Sequence, residues 1–185
     1  MSNPSFITIH GIDGTGKTSA ARNVAHILTN HNMAAINYDD ITDEVIPSPL
    51  ESDSTLAKKI SQSALIASYL VDGTSIVRDR WLIDVHADRG FKGASVATPQ
   101  GIITPDYSFV LTCDDSVRMQ RVLERGNPTE EDLIPNREGT RAHYFEQYLL
   151  HRIGEFARLA IIIDTTELSQ DEVAETITNH LLLVP

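Results

Sequence analysis

Residues 11–18 read Gly-Ile-Asp-Gly-Thr-Gly-Lys-Thr, and no other stretch constrains the fold of this chain as tightly. Every fixed position of the G-x-x-x-x-G-K-[ST] phosphate-wrapping pattern is filled. Such a loop works only between a strand and a helix, and the flanks supply both. Residues 6–10 (FITIH) are a short apolar run of strand type, and Ala20, Val24, Ile27 and Leu28 then share one helical face. Gly11, Gly14 and Gly16 let the backbone curl close to a polyphosphate, with N–H groups presented at a helix N-terminus whose dipole favours anions. Thr15 and Ser19 complete the expected contact set. Lys17 is placed to reach the β- and γ-phosphates, and Thr18 to hold Mg²⁺ through its hydroxyl. The pattern therefore predicts a nucleoside-triphosphate site.

Composition narrows the remaining possibilities. A chain of 185 residues suffices for one domain with a substantial core. Its net charge of −11 leaves no cationic surplus for a nucleic-acid polymer, although a small phosphate ligand needs only a few focused cations. The lone Cys113 excludes an internal disulfide and is expected as a small core residue. No apolar run is long enough to span a membrane, and the first residues, MSNPS, have no signal character, so a soluble cytoplasmic protein is expected. The seven histidines show no zinc-type spacing. Simple packing or a single hydrogen bond is the expectation for His10 and His86.

The rest of the chain alternates strand-like and helix-like stretches. Strands are expected at 34–38, 75–78, 107–112 and 160–164, and helices from about 56 to 71, 81 to 94, 141 to 159 and after Ser169. Gly90 and Gly93 are expected to break any pattern longer than the second of these helices, with a Gly-containing loop after it. Asp114 or Asp115 is expected to cap another helix, on which Val117, Arg121 and Arg125 lie along neighbouring turns. Ser169 and Glu172 form an S-x-x-E capping box, with Val173, Ile177 and Leu181 facing the core. Residues 43–54, with Pro47 and Pro49, read as loop. Residues 126–140, polar and acidic with Pro128 and Pro135, read as a mobile flap. Alternating strands and helices imply a five-stranded parallel sheet covered on both faces, with ligands gathering beyond the carboxyl ends of its strands. Site candidates are therefore the 11–18 loop, Asp39 and Asp40, Asp79 and Arg80, and Asp114 and Asp115.

The loop, the strand-ending pair in SIVRDRW, and PDYSFVLTCDDSVRMQRVLERG with its Pro-Asp strand and Arg-Gly helix end together resemble the thymidylate kinase-like branch of P-loop nucleotide and nucleoside kinases. The resemblance runs in order over most of the chain. It implies a single three-layer P-loop kinase domain over 1–185 with a lid at about 126–140. It also implies ATP and Mg²⁺ as donor and metal, and a homodimer as a common assembly. On that resemblance Asp13 lies near the acceptor's sugar hydroxyl, Asp79 acts on the Mg²⁺ shell, and Arg80 acts on the phosphates being transferred. Arg125 and Arg137 are candidates for a catalytic lid arginine, with Arg121 as an adenine-stacking neighbour.

The acceptor half departs from that family. Its R-E-P-G-G-T signature is replaced by Tyr38-Asp39-Asp40-Ile41, its A-Y-Q-G segment by Ala87-Asp88-Arg89-Gly90, and SQSALIASYLVDG lacks the arginine that grips an acceptor phosphate. A nucleoside monophosphate acceptor, dTMP first, therefore stands beside a second possibility, a hydroxyl of a nucleoside or other small metabolite activated by Asp39 or Asp40. Arg89 is a possible substitute cation. A regulatory NTPase is a third reading, against which stands the absence of an N-K-x-D guanine motif.

Overall fold

The computed structural model describes residues 3–41, 55–94, 97–98 and 100–183, with the side chains of 55–57 outside that set. Among the described residues five strands and six helices follow one another: β1 Phe6–His10, α1 Lys17–Asn30, β2 Ala35–Asn37, α2 Thr55–Val71, β3 Ser75–Asp79, α3 Leu82–Phe91, β4 Tyr107–Thr112, α4 Asp115–Glu124, α5 Arg141–Arg152, β5 Leu159–Asp164 and α6 Gln170–Leu183. Short 3₁₀ turns occupy Tyr38–Asp40 and Ile153–Glu155. The strands form one sheet in the order β2-β3-β1-β4-β5, with every pairing parallel.

β1 lies at the centre, Ile7 pairing with Val77 on one side and Tyr107 on the other. All five of its residues are buried, as a strand covered on both faces requires. On one face Ile7, Ile9, Phe109 and Leu111 pack under Ala20, Val24 and Leu28 of α1 and Val173, Ile177 and Leu181 of α6. On the other, Phe6, Ile76 and Trp81 meet Ile66 of α2, while Val110 meets Ile83 and Ala87 of α3 and Phe145 and Leu149 of α5. The architecture is thus α/β, with a five-stranded parallel sheet flanked by helices. Because α1 leaves β1 over one face and α2, α3 and α5 cover the other, a crevice opens beyond the carboxyl ends of the central strands.

Three boundaries differ from expectation, each for a physical reason. α3 runs through Gly90 to Phe91 because the glycine admits a neighbour: a Cβ there would stand 2.7 Å from the Tyr144 hydroxyl of α5. α5 ends at Arg152, and Leu159 joins β5, where it pairs with Tyr107. Asp114 occupies the N-cap of α4 without a side-chain capping bond. The Asp115 carboxylate instead accepts from Arg118 and the Asn136 N–H. The Ser169–Glu172 box is formed reciprocally, at 2.8 and 3.3 Å. The expected loop at 43–54 lies outside the described residues, and 126–140 is built of turns. Among the described residues no helix is long and apolar enough to cross a membrane.

Candidate functional site

The chain leaves β1 at His10 and turns through the 11–18 loop into α1. Gly11 and Gly14 adopt φ of 146° and 92°. A Cβ on Gly11 would meet Leu111 O at 2.5 Å, and one on Gly14 would meet Arg118 Cγ at 2.7 Å. Only glycine lets the loop lie this close to β4 and α4. α1 then begins with Gly16 at its N-cap, with no side-chain cap and no acidic residue in its first turn. Its unpaired N–H groups and positive dipole end remain for an anion.

A compact ion-pair cluster surrounds this turn. Lys17 is buried, its Nζ donating to Ile12 O at 3.1 Å and Asp13 Oδ1 at 3.0 Å. The same Asp13 oxygen accepts from Arg80 Nη2 at 2.5 Å. Burial lowers the Lys17 pKa and Arg80 lowers it further, against the pull of Asp13 and Asp79. Burial alone would raise the Asp13 carboxyl, but Lys17 and Arg80 outweigh it and hold it below its ordinary value. The Thr18 hydroxyl donates to Asp79 Oδ2. Asp79 Oδ1 is buried without a hydrogen-bond partner among the described residues.

The bend delivering Asp79 and Arg80 is strained and braced. Arg80 has φ of 64°, a left-handed conformation rare for a side-chain-bearing residue. Asp84 holds the turn by accepting from the Trp81 N–H at 2.9 Å while its other partner, His10 Nδ1, lies at 2.6 Å. Burial opposes charge on Asp84, yet His10, Arg80 and the Trp81 amide bring its pKa down to about 2. His10 therefore does more than pack; Thr8 Oγ1 is a second partner at 2.9 Å.

A different arrangement occupies the corner between α2 and β3. The Arg78 guanidinium, 8% exposed, lies 3.8 Å from the Tyr38 ring centroid and 4.9 Å from that of Trp81. Lys59 Nζ lies 4.6 Å from the Trp81 ring. Neither cation forms an ion pair among the described residues. Arg78 Nε donates to Arg80 O at 3.1 Å, while Arg78 Nη1, Gln62 Oε1, the Tyr38 hydroxyl and both side-chain amide atoms of Asn37 are buried without hydrogen bonds among the described residues. Burial, then Arg78, lowers the Lys59 pKa to about 7. Sequence reasoning missed both cations, because it sought an acceptor cation only after residue 60. The Lys58-Lys59 pair at the start of the helix was the available signal.

The remaining candidates scatter. Arg121 donates to the carbonyls of Thr165 and Leu168, and with Arg125 and Gly14 to Ser19 lines a cavity of about 450 Å³. Arg125 is exposed, 3.5 Å from Asp132. Arg137 is exposed, and its backbone closes the turn before α5. Arg89 lies in the last turn of α3, away from the 11–18 cluster's ion pairs. Asp39 and Asp40 sit in the 3₁₀ turn after β2, both exposed. Burial raises the Asp39 pKa against the pull of Arg78. Arg141, which belongs with Arg121, Arg125 and Arg137 to the set of possible lid arginines, contacts Asp88 and Glu131, and the buried Arg118 is not among the sequence candidates. No protein-family model matches the chain.

Proposed function

We propose that this protein is an ATP-dependent phosphotransferase of P-loop kinase type, passing a γ-phosphoryl group to a small acceptor. The observation that carries the reading is the Lys17–Asp13–Arg80 cluster standing beside an uncapped helix N-terminus. Lys17 and the first-turn N–H groups would hold the β- and γ-phosphates, and Arg80 would neutralise charge gathering on the transferred group. Mg²⁺ fits the Thr18 and Asp79 pair, because Asp79 keeps one buried oxygen without a partner. Bound there, the ion would neutralise phosphate charge. The cavity lined by Arg121, Arg125 and Ser169 suits the remainder of the donor nucleotide. Residues 126–140 would act as the lid, excluding water over the reacting groups.

On the acceptor side the unpaired Lys59 and Arg78 favour an anionic acceptor, a nucleoside monophosphate, over a neutral one. Two desolvated cations on one indole ring carry a cost that an incoming phosphate relieves. dTMP remains the first compound to try. The second reading, a hydroxyl acceptor, is favoured by Asp39, whose raised pKa suits a proton-accepting role. ATP consumption measured against a panel of nucleosides and nucleoside monophosphates tests both. The expected result is turnover that requires a monophosphate. Acceptor-independent hydrolysis would overturn the kinase reading, and preference for a nucleoside would transfer the acceptor role to Asp39.

A further inference from the structure

Arg118 is the largest charged side chain of the interior, only 1% exposed, and nothing in the reaction proposed above uses it. It sits on the second turn of α4, and every one of its five N–H donors has an acceptor. Nε donates to Asp115 Oδ1 at 2.8 Å. Nη1 donates to Asp13 O at 3.2 Å and to Asp132 O at 3.1 Å. Nη2 donates to Ile134 O at 2.7 Å and to Met119 Sδ at 3.1 Å. One planar guanidinium thus joins a carbonyl of the 11–18 loop to two carbonyls of the 126–140 segment. The contact with the loop is doubly close, since Gly14 packs directly on the Arg118 stem.

An apolar residue would serve helix packing equally well, but it would leave the Asp13, Asp132 and Ile134 carbonyls short of this donor. Lysine could not replace it, because three donors on one nitrogen do not span acceptors arranged around a fork. Asp13 is consequently gripped from both ends: its carboxylate by Lys17 and Arg80, its carbonyl by Arg118.

We infer that Arg118 is a positioning residue that makes the seating of 126–140 and the aim of Asp13 one event. When the segment lifts, Asp13 O loses the guanidinium that holds it, and the Asp13–Arg80 pair loses its fixed geometry. The inference rests on the phosphotransferase reading only for its catalytic consequence; the linkage itself is independent of any ligand.

Amide hydrogen exchange on the full chain, without ligand, tests the linkage. In Arg118→Lys and Arg118→Gln, amides of 12–16 and of 129–137 are expected to exchange at least tenfold faster together, with β1 and β4 amides unchanged. Acceleration of one window alone, or of neither, overturns the inference. Should both variants fail to fold, wild-type exchange in increasing sub-denaturing urea decides instead. The two windows are then expected to open as one unit with the same urea dependence, and separate openings overturn it. For catalysis, Arg118→Lys is expected to lower kcat about 100-fold with the KM for ATP within threefold. Unchanged kcat despite the shared opening would make Arg118 a strut and refute the positioning role. If the wild type transfers phosphoryl to no acceptor, the kinase reading fails while the exchange result still decides the linkage.

Discussion

The carboxyl end of β1 and the corner between α2 and β3 treat buried charge in opposite ways, though Arg78 and Arg80 of one short segment serve both. Around the 11–18 loop, Lys17 and Arg80 share the Asp13 carboxylate, and Thr18 is bonded to Asp79. At the α2–β3 corner, Lys59 and Arg78 lie against aromatic faces, and Arg78 Nε donates to the backbone carbonyl of Arg80 at 3.1 Å. Paired charges make a frame that keeps its geometry before any substrate arrives, which is what phosphoryl transfer needs from its catalytic groups. Cations without a carboxylate partner cost stability, and on the proposed reading a bound anion would offset that cost.

The comparison breaks most decisively at Lys17. If the loop is the donor site, Lys17→Ala removes the phosphate contact in the chemical step and lowers kcat by on the order of 10³-fold, about 4 kcal/mol of barrier. The melting temperature should stay within a few degrees of wild type, because Asp13 keeps Arg80. Phosphoryl transfer at a near-normal rate would remove the loop from the mechanism.

At the other region the expected loss is in binding. Arg78→Met is expected to raise the KM for a monophosphate acceptor by roughly 100-fold, about 2.7 kcal/mol, while the KM for ATP changes little. Steady-state kinetics with each substrate varied in turn makes the measurement. An equal rise in both constants would show that the two regions are not separate subsites.

The brace beneath the frame should show itself in acid. Asp84, with a folded pKa of about 2 against an ordinary 3.8, contributes stability that is complete above the unfolded value. That contribution is lost as pH falls from about 4 toward 2. It amounts to about 2 kcal/mol. Asp84→Asn should flatten the acid limb of a stability-against-pH curve from denaturant melts. An acid limb as steep as wild type would show that another carboxylate governs it.

What the sequence made legible, and what it hid, divides along the same line. The 11–18 loop, β4 and the Ser169–Glu172 box depend on neighbours within a few residues, so motif, alternation and spacing expose them. The His10–Asp84 brace joins residues 74 apart, and its partners are brought together only by the parallel register of the sheet. Arg118, Arg78 and Lys59 were overlooked because a charged residue in a helix or strand ordinarily faces water. Only packing shows that Arg118 and Arg78 are buried and that Lys59 is partly so. The cations of the α2–β3 corner come from different elements, Lys59 from α2 and Arg78 from β3, so no single stretch of sequence displays them together.

Lys59 sharpens the comparison at the smallest scale, since its neutralisation is expected to change stability as well as binding. Its folded pKa of about 7 lies below the ordinary lysine value of 10.5. Below pH 7 the ammonium is charged in both states and the folded state bears the full cost of its burial. Between pH 7 and 10.5 the unfolded chain binds the extra proton, so stability rises with pH and the cost fades. Lys59→Met should therefore stabilise the ligand-free protein at pH 6, by about 1–2 kcal/mol given the side chain's partial contact with water. The gain should shrink toward zero by pH 10. The same variant should bind a monophosphate acceptor more weakly. Urea melts at pH 6 and 9 measure the change in stability. A destabilised Lys59→Met at pH 6 would show that Trp81 already supplies all the compensation this cation receives, and that no anion is needed at the α2–β3 corner.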